Sequence, residues 1–332
     1  MKKSFVFLLS AAMLLTACSQ ASESSVSSEL TSTAAIETSS VQTIETTESS
    51  ETSETTTLST VVNTHGEELG SAAELSGRIV VVSIFASDYE GDWYTFERDW
   101  DHYRQEVAIE KLTTAVEWIE DQAASYGRYV EFIYDYEEDE DLVYYMDFDM
   151  DIFEGKYTYP YHIPLYEAIH DEIPTEDLLN WYEADEIIFM FYLNAEPTTD
   201  LEGEVNDKTR SCARIYYDGA PYYYEFCLIN MNASSSCFCS PGDFAHEILH
   251  LFGAPDLYME DNGAHPEIGI SQDYVDYLGT IDCKDVMYHL WWYDDLYEIQ
   301  YTIDDLTAYY LGLTDYSETV EEWGFGPSEH LT

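Results

Sequence analysis

The chain has 332 residues and sets 67 Asp and Glu against 12 Lys and Arg, for a formal charge of −55 at pH 7. So acidic a protein is a poor partner for nucleic acid or an anionic membrane surface, because binding phosphate needs a basic face. Its apolar share, 45% with 15% aromatic, is enough to bury a large core and leave the carboxylates on a solvated exterior. Some of those carboxylates are candidates to hold Ca²⁺, which favours oxygen-rich clusters.

Lys2 and Lys3 precede an apolar stretch from Phe5 to Leu15. That stretch is too short to span a bilayer core of about 30 Å as a helix and reads as the apolar region of an export signal. Leu15-Thr16-Ala17-Cys18 follows and resembles the cleavage box of bacterial lipoproteins. The resemblance implies that residues 1–17 are removed and that Cys18 carries a lipid on the outer face of the cell membrane. Residues 18–60 are dominated by Ser, Thr and Glu with hardly an aromatic. They cannot bury enough apolar surface to offset their ordering entropy and are expected to form a disordered spacer. Residues 61–332 are expected to form one domain, monomeric and touching the membrane only through the lipid.

Within that domain, Arg78 to Phe85 is a β-branched apolar run of the kind buried on both faces of a sheet. Ala108, Leu112, Ala115, Val116, Ile119 and Ala123 then recur at helical spacing, and Gly127 offers a C-terminal stop. Arg128 to Tyr134 reads as a second strand. Asp147-Phe-Asp-Met-Asp151 lacks the glycine and the closing glutamate of an EF-hand loop and is expected to be a half-exposed strand with one acidic face. Glu186 to Leu193 reads as a third buried strand. Strands alternating with a long helix predict an α/β fold.

Residues 211–230 predict a β-hairpin folded about Asp218-Gly219-Ala220-Pro221. Folding the chain symmetrically about that turn sets Arg214 against Glu225 and Cys212 against Cys227. Directly opposed strand positions lie within disulfide reach, so a Cys212–Cys227 bond is expected in an exported protein.

The chemistry concentrates in His246-Glu247-Ile248-Leu249-His250. Residues four apart lie on one face of a helix, where two imidazoles can reach one Zn²⁺ ion at about 2.0–2.1 Å. Glu247 stands beside them, placed to take a proton from a metal-activated water. Ser240 as N-cap, Pro241 in the first turn, Asp243 closing a capping box and Gly253 as terminator all predict that this segment is helical.

Extended to His246-Glu-Ile-Leu-His250-Leu-Phe-Gly253-Ala-Pro-Asp256, the segment resembles the HExxHxxGxxH motif of the metzincin group of zinc peptidases. An aspartate replaces the third histidine, as in snapalysin-type peptidases. The resemblance implies that Gly253 permits a sharp turn and that Asp256 is the third zinc ligand. Asp282, Asp285 and Glu298 are alternative downstream acids for that role. It further implies that Met287, in Asp285-Val286-Met287-Tyr288, forms the Met-turn beneath the metal, with Tyr288 or His289 as a candidate stabiliser of the developing oxyanion. Asp304 to Leu313 would match the C-terminal helix of that group.

The implied fold is of the zincin kind, α/β in the α+β sense. It has a mixed, twisted sheet with an antiparallel edge strand, a long backing helix and an active-site helix carrying the two histidines, then a mostly irregular or helical C-terminal lobe. The outer hairpin strand, Ser211 to Tyr217, would run along the cleft and pair with substrate backbone. The expected function is a lipid-anchored, cell-surface zinc endopeptidase acting on protein or peptide substrates. The alternatives are a surface adhesin or glycan-binding lipoprotein, suggested by the many Tyr and Trp, and a zinc hydrolase acting on a non-peptide bond of the cell wall.

Overall fold

The fold is organised around β1 (Gly77–Ser87), in which every residue from Ile79 onward is buried. In the computed structural model, the residues described are 70–89, 91–93, 99–134, 140–153, 162–195, 211–215, 220–231, 240–258, 269–288 and 298–327. The chain divides into two units, Met1–Ser59 and Thr60–Thr332, and all described residues fall in the second. The export signal, Cys18, the spacer and the Cys237–Cys239 segment lie outside the described residues.

Five further strands complete one sheet: β2 (Val130–Ile133), β3 (Val143–Asp147), β4 (Glu186–Leu193), β5 (Cys212–Arg214) and β6 (Phe226–Asn230). The order is β2-β1-β4-β6-β5. β2 pairs with the first half of β1 and β3 with the second, end to end along the same side. Every pairing is parallel except that of β5 with β6, so the mixed sheet with an antiparallel edge strand is present. Strands this central carry apolar residues on both faces because both faces are covered.

One face receives α1 (Asp99–Ser125) and α4 (Pro241–Leu251), with Ile79, Val81 and Phe85 of β1 packed against Leu112, Ile119, Phe244 and Ile248. The opposite face receives α2 (Ile163–Glu172) and α3 (Thr175–Tyr182), with Val80, Val82 and Ile84 against Leu165, Ile169 and Leu178. All six α1 residues picked out by helical spacing are fully buried, each worth roughly 1 to 3 kcal/mol of apolar transfer according to size. Gly127 ends the helix at φ +77°, a conformation that penalises a Cβ. The C-terminal lobe carries α5 (Gln272–Thr280), α6 (Asp305–Tyr310) and α7 (Glu318–Trp323). No described helix is long and apolar enough to cross a membrane.

Two expectations are corrected. The acidic segment Asp147 to Asp151 is not a strand: β3 lies upstream and ends at Asp147, where its backbone pairing with β1 ends opposite Ser87 at the end of that strand. The second correction concerns the hairpin. β5 and β6 are antiparallel, but Cys212 opposes Leu228, Ala213 opposes Cys227 and Arg214 opposes Phe226. The register is one residue away from symmetry. Such a slip exchanges the faces of a strand: Cys227 joins the α1/α4 side of the core and Cys212 the α2/α3 side. No disulfide joins them. Burial sets the register, since Phe226 and Leu228 are fully buried on one face, and this outweighs cross-strand pairs worth about 0.2–1 kcal/mol each. Arg214, expected to face Glu225, instead donates from Nε to His162 Nδ1 at 3.1 Å.

Candidate metal centre

α4 begins as its sequence dictates. Ser240 Oγ accepts from Asp243 N at 3.2 Å, and Asp243 Oδ2 accepts from Ser240 N at 2.6 Å. Pro241 fills the first turn, where its missing N–H costs nothing. The helix ends beyond Leu251, and Gly253 takes φ +93°. There Ala254 N returns to Leu249 O at 3.1 Å, and the chain reverses so that Asp256 faces the helix it has just left.

That reversal builds a triangle. His246 Nε2 and His250 Nε2 are 3.0 Å apart, and Asp256 Oδ1 lies 3.2 and 3.1 Å from them. The rest of each ring is anchored. His246 Nδ1 lies 3.2 Å from Val286 O, and His250 Nδ1 lies 2.7 Å from Ala254 O. A carbonyl can only accept, so both Nδ1 atoms carry the hydrogen, and a neutral ring then offers Nε2 as a lone pair.

Two imidazole lone pairs and a carboxylate oxygen that close together repel one another unless a positive charge lies among them. A proton meets this need in part. Burial lowers the His250 pKa, but the Asp256 charge, its hydrogen bond and the nearby Glu247 outweigh that and push it up to about 9. Burial alone would raise Asp256; the two histidines hold it well below the usual carboxylate range. A metal ion meets the need more fully. Ligand atoms about 2.0–2.1 Å from a tetrahedral zinc stand about 3.3–3.4 Å from one another, within a few tenths of an ångström of the edges seen here. Two imidazoles with one carboxylate suit zinc rather than calcium or magnesium, which prefer oxygen alone. Among the described residues, this is the one group of three His, Cys, Asp or Glu side chains placed to share a metal ion.

Glu247, on the same helix and buried, lies close enough to act electrostatically on both His250 and the Cys227 thiol. The alternative third acids are engaged elsewhere. Asp282 is on the surface beside Lys284, Glu298 is exposed, and Asp285 accepts from the backbone of Met287 and Asp304. Met287 is fully buried, and its carbonyl accepts from Leu257 N at 3.0 Å, next to Asp256.

Tyr288 places its hydroxyl 3.0 Å from where a Cβ on Gly279 of α5 would lie. His289 lies outside the described residues. Among the described residues, Tyr258 stands beside His246, half-buried and with its ring centroid 6.0 Å from that of the imidazole. Only its position two residues beyond Asp256 could have pointed to it in the sequence. Among the described residues, the expected outer strand, β5, is the last strand of the sheet and stands next to β6.

Compared with known proteins, the chain matches no family model and no curated sequence.

Proposed function

We propose that the protein is a zinc-dependent endopeptidase, with His246, His250 and Asp256 as metal ligands and Glu247 as general base. The observation that carries this reading is the convergence of Nε2, Nε2 and Oδ1 at 3.0–3.2 Å, each ring fixed from behind by a backbone carbonyl. The similarity of residues 246–256 to the metzincin motif supports the same assignment.

A zinc ion held there would lower the pKa of a bound water and polarise the scissile carbonyl. Val286 O and Ala254 O keep both rings in the tautomer that leaves Nε2 free to ligate. Glu247 accepts the proton of the attacking water and returns it to the leaving amine. β5 offers its outer side to an extended substrate, whose backbone would add to the sheet there. The lipid on Cys18 and the spacer would place this activity outside the cell.

An adhesin has no use for a buried carboxylate beside two converging imidazoles. A hydrolase of non-peptide bonds would share the site and differ in substrate. The test is digestion of denatured casein and of a peptide library by the purified protein. Internal cleavage that stops with a chelator and returns with Zn²⁺ is expected. An intact library in the presence of bound zinc would rule out the peptidase reading.

A further inference from the structure

The turn whose carbonyls meet His246 and Leu257, the neighbour of Asp256, is itself held by one buried carboxylate. Asp285 is fully buried. Its Oδ1 accepts from Met287 N at 2.7 Å, and its Oδ2 accepts from Asp304 N at 2.7 Å, at the start of α6. Between those anchors, Val286 N donates to Thr302 O at 3.0 Å and Thr302 N donates to Lys284 O at 2.9 Å. The carbonyls of the turn point the other way, to the metal centre: Val286 O receives His246 Nδ1 and Met287 O receives Leu257 N. The far side of the clamp is fixed in turn to α1, where Gln122 Oε1 accepts from Ile303 N at 3.0 Å and Tyr126 donates to Ile303 O at 2.8 Å.

We propose that Asp285 is a positioning residue for the metal centre, resting on the zinc reading above. By tying Met287 N to Asp304 N, it sets where the Val286 carbonyl stands, and so the orientation and tautomer of His246, and it steadies the segment that presents Asp256. It touches neither metal nor substrate. An ionised carboxylate suits the task because it accepts from two backbone N–H groups at once, whereas an amide would turn an N–H₂ toward one of them. Groups that orient a metal ligand from behind cost about 10–100-fold in metal affinity when removed.

Asp285→Ala deletes both acceptors and risks unfolding the lobe. Asp285→Asn, nearly isosteric, therefore carries the test. The purified protein is titrated with Zn²⁺ against a chromophoric chelator, and its Co²⁺-substituted form is examined by visible absorption. Circular dichroism checks the fold, and Leu165→Ala in α2, on the opposite face of the sheet, serves as a variant weakened away from the clamp. Asp285→Asn is expected to bind Zn²⁺ about 10–100-fold more weakly and to show a shifted Co²⁺ spectrum, while Leu165→Ala keeps both. A changed affinity with an unchanged spectrum would mean a mere loss of charge and would overturn the positioning role. Zn²⁺ binding within about twofold of wild type, with the wild-type spectrum, would overturn it too. A wild-type protein that takes up no Zn²⁺ at all would instead remove the metal centre on which the proposal rests.

Discussion

Two groups of carboxylates withdrawn from water, one beside α4 and one at the base of the sheet, solve the same problem in opposite ways. At the helix, Asp256 keeps its charge because two imidazoles face it, and its pKa is driven down. At the start of β4 and just before β6, Glu186 and Glu225 are more deeply buried than Asp256 and accept from backbone N–H groups. Ala73 N donates to Glu186 at 3.3 Å and Ala72 N to Glu225 at 2.9 Å. Burial, with Glu225 nearby, pushes Glu186 up to about 8. One site neutralises charge with a cation or a ring proton, the other with a proton on the acid itself. The first arrangement is what a metal centre needs; the second locks residues 71–73 to the sheet.

The contrast between the two sites is broken most forcefully at Glu247, another buried acid, whose proposed task is to move a proton. Glu247→Gln should retain metal and fold yet lose about 10²–10⁴-fold in peptide hydrolysis, measured as kcat on a fluorogenic peptide. Activity within about tenfold of wild type would assign Glu247 to structure, with Glu186. Next, Asp256→Ala should weaken zinc binding by more than the roughly 10–100-fold lost with a ligand's hydrogen-bond partner. In the wild type, zinc must displace the proton that the metal-free site holds on His250 up to about pH 9. Apparent affinity should therefore fall as pH drops below that value, by about tenfold per unit for one displaced proton. A flat profile in a chelator competition would mean that no such proton is held.

The sheet-base acid makes a prediction of the opposite sense. The folded pKa of Glu186, about 8 against an ordinary 4.5, means that the folded protein keeps a proton which the unfolded chain releases. That contribution is complete below about pH 4.5 and is lost as pH rises through about 8. Glu186→Gln should thus stabilise the zinc-loaded protein at pH 8.5 by on the order of 1–3 kcal/mol, a few degrees in Tm, with the gain vanishing near pH 4.5. Equal effects at both pH values would show that Glu186 is already ionised in the fold. The smallest effect belongs to the helix cap: Ser240→Ala should cost about 1 kcal/mol in thermal or denaturant unfolding.

The elements that the sequence reveals best are those whose signals are local. β1, β4 and α1 follow from unbroken apolar runs or from helical spacing. α4 follows from Ser240, Pro241 and Asp243 before it and Gly253 after it. The triangle of His246, His250 and Asp256 was readable because all three residues lie within one helix and the turn that follows. Partners distant in the chain were not. The one-residue register of β5 on β6 depends on which residues the core buries, and no symmetry about Gly219 reports that. Asp285, Glu186 and Glu225 look like the many solvated acids of this chain until the fold withdraws them from water. Tyr258 carries no pattern of its own, and Tyr288, named for its nearness to Met287, is turned toward α5.

If His246 and His250 converge to hold a metal, zinc content reports it most directly. Purified wild-type protein, dialysed free of loose metal and analysed by mass spectrometry, should carry one zinc per chain, and His246→Ala combined with His250→Ala should carry none. Zinc at full stoichiometry in the double variant would contradict a metal centre built on these two rings.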